Sequence, residues 1–175
     1  MICLDTVTLI FGIQKKYLPA YQREAEAAQH YLDNLPAGEV IMIPPAVIFE
    51  FIQGYEDKAD RDAIYNALAE DFFIPAFDAK SARIAAEIVA TAGGVRSISD
   101  LTGIRKPDVK LDIQIIATAI AHSAETIITF NHKEYEKILR ASGYDKKVKA
   151  KWLAYVAQPT LFSKSINAEE EARPN

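Results

Sequence analysis

Four short apolar runs, separated by longer segments of helical pattern, constrain the fold of this chain more than any other feature. Each run is rich in β-branched or aromatic residues and shows no alternation of polar and apolar positions, which is typical of strands covered on both faces. Because strand-like and helical segments alternate along the chain, we predict an α/β fold with a mostly parallel sheet. The predicted strands are residues 2–4, 40–43, 72–74 and 126–129.

The segments between these runs carry signals of helix starts and ends. Residues 45–54 begin with a proline and end at a glycine, and residues 60–71 and 78–92 each begin near an aspartate that can cap free N–H groups. Residues 111–122 are apolar on nearly every side, so we predict a buried central helix there. The remaining predicted helices are residues 21–35 and 133–141.

A long basic connection precedes the predicted central helix. Residues 93–110 show little periodicity, and we predict a loop, since loops of this length in compact domains tend to be functional or mobile. Arg96, Arg105 and Lys106 make it the most basic loop near the edge of the sheet where a ligand would bind. Arg105 and Lys106 are therefore candidate substrate-binding residues; the alternative is an ordinary solvated loop.

Composition excludes several kinds of site. The chain of 175 residues has one cysteine and three histidines, which rules out a disulfide framework and a cysteine-based zinc site. The formal net charge of −4 argues against binding nucleic acid by positive field alone, although bound metal ions can reverse the charge of an acidic pocket. The longest mainly apolar run, residues 40–49, is too short to span a bilayer, and the N-terminal segment does not resemble a signal peptide. We therefore expect a soluble cytoplasmic protein.

Four polar residues occupy positions where catalytic or metal-binding side chains are expected, and each could also have a purely structural role. Asp5 directly follows the first predicted strand and could cap the next helix. Glu50 lies in an otherwise apolar helix, either on its solvated side or in a polar pocket. Asp112 opens the most apolar helix and could also be a cap, and Asn131 with Glu134 fits a variant of the capping box.

Taken together, the same four residues predict a metal site. Asp5 and Asn131 follow strands, and Glu50 lies on the helix after the second strand. Asp112 opens the helix that leads into the last predicted strand. A parallel sheet brings such positions to the carboxyl ends of its strands. Carboxylates with one amide oxygen form a set of hard ligands that suits Mg²⁺ or Mn²⁺.

Four short motifs, in order along the chain, resemble the PIN-domain family of metal-dependent ribonucleases. Within that family the chain is most similar to the toxin ribonucleases of bacterial and archaeal toxin–antitoxin pairs. The second motif carries the Glu-x-x-x-Gly spacing at Glu50 and Gly54, and the fourth resembles Thr-x-Asp/Asn-x-Lys-Asp/Glu-Phe/Tyr. The likeness extends from residue 1 to about residue 141. The motifs are LDTVTLI, PPAVIFEFIQGY, LDIQIIATAIAHSAETIIT and TFNHKEYEKI.

The resemblance implies a PIN-like three-layer sandwich in which helices flank a mostly parallel central sheet. It also implies hydrolysis of RNA phosphodiester bonds with one or two Mg²⁺ or Mn²⁺ ions, an antitoxin protein as partner, and a homodimer. Helices 21–35 and 60–71 offer faces for a second copy or an antitoxin. We expect one domain over residues 1–162 and a polar, acidic, disordered tail over residues 163–175.

The same resemblance implies roles for particular residues. The set that binds metal and performs catalysis would be Asp5, Glu50, Asp112 and Asn131. The hydroxyls of Thr6 and Thr129 would position ligands, water or the scissile phosphate. Two positions depart from the family pattern: Val7 stands where the family often has a polar residue, and Asn131 where it often has an aspartate.

Three other interpretations use the same residues. A phosphatase of the haloacid dehalogenase type needs a second aspartate two residues after Asp5, and Val7 stands there. A ribonuclease H-like fold begins with consecutive antiparallel strands, whereas a helical segment here separates the first two strands. A non-catalytic PIN-like module that binds RNA or a protein stays open; Val7 and Asn131 favour it, and the intact carboxylates oppose it.

A basic segment near the C-terminus is the best candidate for a further RNA contact. Residues 146–151 contain four lysines and are followed by Trp152. Lysines can neutralise phosphates, and a tryptophan can stack on a base. The alternative is a solvated helix with Trp152 packed on the core.

Overall fold

The computed structural model describes residues 1–14, 19–35 and 37–152, and within these ranges it forms one parallel sheet surrounded by helices. The sheet has four strands in the order β2-β1-β3-β4. All neighbouring strands are parallel. The predicted tail, residues 163–175, and the end of the predicted domain lie outside the described residues. The strands are β1 (Ile2–Leu4), β2 (Ile41–Met42), β3 (Thr126–Thr129) and β4 (Lys149–Trp152).

The central strands are short and buried, as the apolar runs predict. β1 pairs with both β2 and β3, with Ile2 opposite Ile41 on one side and Leu4 opposite Ile128 on the other. All four residues of β3 are buried. A strand covered on both faces has no place for polar alternation, which is why these segments are almost continuously apolar.

Helices connect the strands, and two of the predicted helices begin at aspartate caps. The helix predicted from residue 78 is capped by Asp78, as expected, whereas the helix predicted from residue 60 begins at Lys58 and is capped by Asp57. The side chains of Asp57 and Asp78 accept hydrogen bonds from the backbone N–H groups of Ala59 and Ser81. A π-helical segment (Ile10–Gln14) follows the first helix, and a 3₁₀ turn (Pro19–Tyr21) precedes the second. The helices are α1 (Thr6–Leu9), α2 (Gln22–Asp33), α3 (Pro45–Ile52), α4 (Lys58–Asp71), α5 (Ala79–Thr91), α6 (Val95–Thr102), α7 (Lys106–Ala121) and α8 (His132–Ala141).

Helix α7 is the central element of the core. Ile113, Ile115, Ile116 and Ala117 are buried within it, and α7 packs against α5, α6 and α3. This confirms the predicted buried central helix and the predicted α/β class with a parallel sheet. In the described part of the chain, no helix combines the length and apolar character needed to cross a membrane.

The prediction of a strand at residues 72–74 is wrong. Phe73 forms only an isolated parallel bridge with Met42, through backbone hydrogen bonds that join Phe73 to Ile41 and Ile43 at 2.9 Å. The segment therefore extends the edge of the sheet by one residue pair and does not form a strand.

The fourth strand lies instead in the basic segment before Trp152, where a solvated helix was the expected alternative to an RNA contact. Val148 and Ala150 are buried, whereas Lys149 and Lys151 are exposed. This period of two identifies a strand with one solvated face, and β4 has that position at the edge of the sheet.

The prediction of a loop at residues 93–110 is also wrong. The segment contains α6 and the first turn of α7, which residues 103–105 separate. Gly103 ends α6 in the left-handed conformation, at φ 80°. Glycine adopts this conformation without steric cost, and it is the usual helix terminator. Ile98 and Thr102, four residues apart, form the buried side of α6, and that spacing is the helical signal in this segment.

The burial of α7 gives a test of its importance for stability. We expect Ile116→Ala to lower the free energy of unfolding by about 2–5 kcal/mol, because Ile116 is fully buried and truncation leaves a cavity. Urea unfolding followed by circular dichroism measures this change. Leu101→Ala is the matched control, since Leu101 is 47 % exposed on α6 and its truncation should change stability by only about 0.5 kcal/mol. Equal effects of the two variants would contradict the central role of α7.

Candidate metal site at the carboxyl ends of the strands

Asp5 and Thr129 lie side by side because the parallel register of β1 and β3 places their ends together. The backbone N–H of Asp5 donates to the carbonyl of Ile128 at 3.1 Å, which continues the strand pairing by one residue. The hydroxyl of Thr129 donates to Oδ2 of Asp5 at 2.6 Å. Asp5 is only 4 % exposed, and Thr129 is fully buried. The sheet therefore fixes one carboxylate at its carboxyl edge.

Asp5 is also the N-cap of α1. Its Oδ1 accepts a hydrogen bond from the backbone N–H of Thr6 at 2.7 Å. The capping role and the proposed site role are therefore compatible, because the cap orients the carboxylate at the start of the helix.

Glu50 faces the first helix rather than open solvent. The hydroxyl of Thr6 donates to Oε2 of Glu50 at 2.5 Å, across 44 residues of sequence. Glu50 is half-buried, whereas the preceding Phe49 is 56 % exposed. Of the two sequence interpretations for Glu50, the structure therefore favours the polar pocket, with Thr6 linking this carboxylate to the residue next to Asp5.

Asp112 does not cap its helix, because α7 begins six residues earlier, at Lys106. It lies in the second turn, where its Oδ1 accepts a hydrogen bond from the hydroxyl of Tyr135 at 3.0 Å. The same hydroxyl lies 3.4 Å from Oδ1 of Asp5. Tyr135 thus stands between two of the predicted metal ligands.

Sequence reasoning did not give Tyr135 a role in the site. It is fully buried on α8. The signal was present, since the fourth family motif includes Phe/Tyr at this position, and a buried tyrosine hydroxyl generally needs a hydrogen-bond partner. Its hydroxyl orients the carboxylates of Asp112 and Asp5.

The site holds more negative charge than its surroundings compensate. Burial, reinforced by the charges of Asp5 and Glu50, raises the pKa of Asp112 to about 7. Burial also raises the pKa of Asp5, although hydrogen bonds from Thr129 and Thr6 oppose the shift. Burial holds the pKa of Tyr135 well above its usual range, so this hydroxyl stays protonated and donates.

Asn131 lies at the rim of the site. It occupies the N-cap position of α8, but its side chain makes no capping hydrogen bond, so the capping box with Glu134 is not formed. Its backbone N–H donates to the hydroxyl of Thr129 at 2.9 Å, and the side chain is exposed. Asn131 is thus joined to Asp5 through Thr129, with an amide that points into an accessible region.

Arg105 and Lys106 lie at the N-terminal end of α7 and are exposed. The guanidinium of Arg105 forms an ion pair with Asp108 at 2.9 Å. In the described part of the chain, no ion pair or hydrogen bond joins either cation to Asp5, Glu50 or Asp112. Their predicted role in substrate binding therefore rests on their position, about two turns of α7 or less from Asp112.

The residues present fit a hard divalent cation by their chemistry. Asp5, Glu50 and Asp112 supply only oxygen ligands, the kind that Mg²⁺ and Mn²⁺ prefer. None of the ion pairs among the described residues involves these carboxylates, so a cation would relieve the repulsion that raises the pKa of Asp112. Within residues 1–14, 19–35 and 37–152, no three acidic, histidine or cysteine side chains converge closely enough to enclose an ion. The carboxylates are linked instead through the hydroxyls of Thr6 and Tyr135.

Comparison with known proteins identifies the class. Residues 2–138 match the model of the PIN domain, and the chain therefore belongs to the PIN domain family. PIN domains are in general nucleases. No curated protein matches the chain.

The fold is similar to that of a chain in the crystal structure of VapBC2 from Rickettsia felis bound to a DNA fragment from its promoter. The TM-score is 0.55 and the sequence identity 18 %, over 87 % of this chain and 98 % of the other. At this identity the likeness shows a shared fold.

The crowding of carboxylates predicts how stability of the metal-free protein depends on pH. The pKa of Asp112 is about 7 in the folded state, against 3.8 for an unperturbed aspartate, so its ionisation opposes folding. This penalty is absent below pH 4, grows as the pH rises and is complete above pH 7. We expect Asp112→Asn to be more stable than the native protein at pH 8 in EDTA, on the order of 2–4 kcal/mol, and nearly equal at pH 4.

Urea unfolding of both proteins between pH 4 and pH 8 measures this difference. Mn²⁺ should reverse the order at pH 8, because it stabilises the form with the full set of carboxylates. A difference that does not change with pH would contradict the assignment of the charge penalty to Asp112.

Proposed function

We propose that this chain is an endoribonuclease that hydrolyses RNA phosphodiester bonds with Mg²⁺ or Mn²⁺, and that it acts as the toxin of a toxin–antitoxin pair. One observation carries the proposal. In a member of the PIN domain family, Asp5, Glu50 and Asp112 lie at the carboxyl edge of a parallel sheet, linked by hydroxyl groups and without a cationic partner among the described residues. Carboxylates so arranged repel RNA unless a cation lies between them and the phosphate.

Each residue of the site has a role that follows from its contacts. Asp5, Glu50 and Asp112 would hold the ion, and Asn131 would add an amide oxygen at the rim. A bound divalent ion lowers the pKa of its water and stabilises the charge that develops on the phosphate. Thr129 donates to Asp5 and so keeps this carboxylate in place.

Two further residues position the other carboxylates. Thr6 donates to Glu50, and Tyr135 donates to Asp112. Because these hydroxyls are held by α1 and by the buried side of α8, the carboxylates keep their orientation before substrate arrives. Such support is what a metal site requires from the residues around its ligands.

The partner in this proposal is an antitoxin protein. The support is the shared fold with a chain of the VapBC2 complex, a toxin–antitoxin assembly described as bound to promoter DNA. A homodimer is part of the same proposal, and light scattering of the purified protein measures it. The second candidate function is a non-catalytic PIN-like module that binds RNA or a protein, which the exposed amide at Asn131 in place of a carboxylate favours.

A cleavage assay on a mixed pool of single-stranded RNA tests the proposed activity. We expect cleavage with Mn²⁺ and none with EDTA. Asp112→Asn should lower the rate by roughly a hundredfold or more, because one charge-bearing ligand is lost.

Asp108→Asn is the matched control, since Asp108 lies one turn earlier on the same helix, is 42 % exposed and pairs with Arg105. Its rate should stay within a few-fold of the native rate. Equal activity of native protein and Asp112→Asn would identify a contaminating nuclease. Absence of cleavage in every sample, with metal bound, would favour the non-catalytic module.

A further inference from the structure

A cleft of about 430 Å³ has Asn131, at the rim of the candidate metal site, and Trp152 among its lining residues, and the other residues that line it have no role in the predicted site. We call it the aromatic cleft. Four of its lining side chains are aromatic, and two others, Glu24 and Asn131, offer a carboxylate and an amide. The lining residues are Phe11, Tyr21, Phe130, Trp152, Glu24, Asn131 and Val7.

Two residues that line the aromatic cleft, Val7 and Asn131, adjoin the candidate metal site. Val7 directly follows Thr6, whose hydroxyl binds Glu50. On the other wall, the backbone of Asn131 binds Thr129, whose hydroxyl binds Asp5. A ligand in the cleft would therefore lie next to any phosphate held at the carboxylates.

Three rings of the cleft pack in sequence, with Phe11 between Tyr21 and Phe130. The ring centroid of Phe11 lies 5.4 Å from that of Phe130, edge to face, and 5.9 Å from that of Tyr21. Trp152 stacks on His132 with centroids 5.8 Å apart. Phe130 and Trp152 also line a second opening of about 460 Å³, so they form a ridge between two hollows. Such ridges offer flat faces on which planar groups can stack.

The charge of the cleft selects an uncharged ligand. Glu24 is its one ionisable side chain besides Tyr21, and no lysine or arginine lines it among the described residues. A phosphate would be repelled by this carboxylate. A planar group with N–H donors would instead stack on the rings and donate to Glu24, while the amide of Asn131 can both donate and accept.

We propose that the aromatic cleft is a subsite for one unpaired nucleobase of single-stranded RNA, adjacent to the phosphate at the carboxylates. Stacking on aromatic side chains with hydrogen bonds to the base edge is the way proteins read single-stranded RNA. The inference rests on the proposed ribonuclease function for its choice of ligand. It adds that the base, held by Phe130, Tyr21 and Trp152, sets the position of cleavage.

The single tryptophan of the chain gives a direct measurement. The probe is a ten-nucleotide unstructured RNA, together with strands that carry one abasic site at each successive position. The protein is the full chain with Asp112→Asn, so that the RNA is not cut. We expect the intact RNA to quench the Trp152 fluorescence, and one abasic position to weaken binding about tenfold and remove the quenching. Abasic sites elsewhere should change affinity by less than about threefold.

Variants in the cleft test which residues hold the base. Tyr21→Ala and Phe130→Leu should weaken binding of the intact strand, but not that of the strand lacking the base at the critical position. Tyr65→Ala is the matched control, because Tyr65 is 44 % exposed on α4, as Tyr21 is 48 % exposed, and does not line the cleft. Tyr21 is a surface residue, so its variant tests the inference even if Phe130→Leu fails to fold.

The native protein with Mn²⁺, tested beside these samples, separates the two proposals. Cleavage that moves with the critical base supports both. Cleavage without any dependence on one base overturns the subsite and leaves the ribonuclease. A critical base without cleavage supports the subsite in a binding module and overturns the ribonuclease. Equal weakening of intact and abasic strands by the cleft variants would also overturn the subsite, and would assign the cleft to a protein segment.

Discussion

The parallel pairing of β1 with β3 is the constraint on which the rest of the site depends. It sets Leu4 opposite Ile128, so Asp5 and Thr129 leave the sheet side by side and bind each other. Each strand reverses the direction of its side chains at every step, so a slip of one residue would turn Asp5 away from Thr129. The buried, mainly apolar strands exclude such a slip, since polar side chains next to them would then enter the core. The same burial that stabilises the sheet therefore positions the first carboxylate.

Holding three carboxylates at this edge has an energetic cost, and the fold limits it with hydroxyl donors. Thr6, Thr129 and Tyr135 each donate to a carboxylate. These are neutral donors, so they satisfy hydrogen bonds without cancelling charge, and the pKa of Asp112 still rises to about 7. A lysine or arginine in their place would stabilise the empty site and compete with a metal ion. A cation bound among these carboxylates, as proposed above, would relieve this residual repulsion.

The sequence predicts the parts of this structure that are apolar and periodic. β1, β3, the buried part of α7 and the positions of Asp5 and Glu50 on the sheet edge follow from such patterns. β4 was missed because alternate lysines obscure a strand with one solvated face, and α6 because its short buried side, Ile98 and Thr102, gives little periodicity. Tyr135 was missed for a different reason. A tyrosine at a core position is interpreted from the sequence as an apolar core residue, and only the structure shows that its hydroxyl donates to Asp112. Contacts between residues far apart in sequence are determined by tertiary packing, and local sequence patterns do not predict it.

An acidic chain that binds RNA must obtain its affinity from contacts other than a general positive field. The net charge is −4, and the carboxylates of the site add to the repulsion of phosphates. A cation between Asp5, Glu50 and Asp112 would remove this repulsion at one phosphate only. Stacking in the aromatic cleft would add affinity that does not depend on charge, directly beside that phosphate. Binding would then be strong only where a metal-held phosphate and an unpaired base that can stack occur together, and this requirement would restrict the proposed ribonuclease to single-stranded positions in RNA.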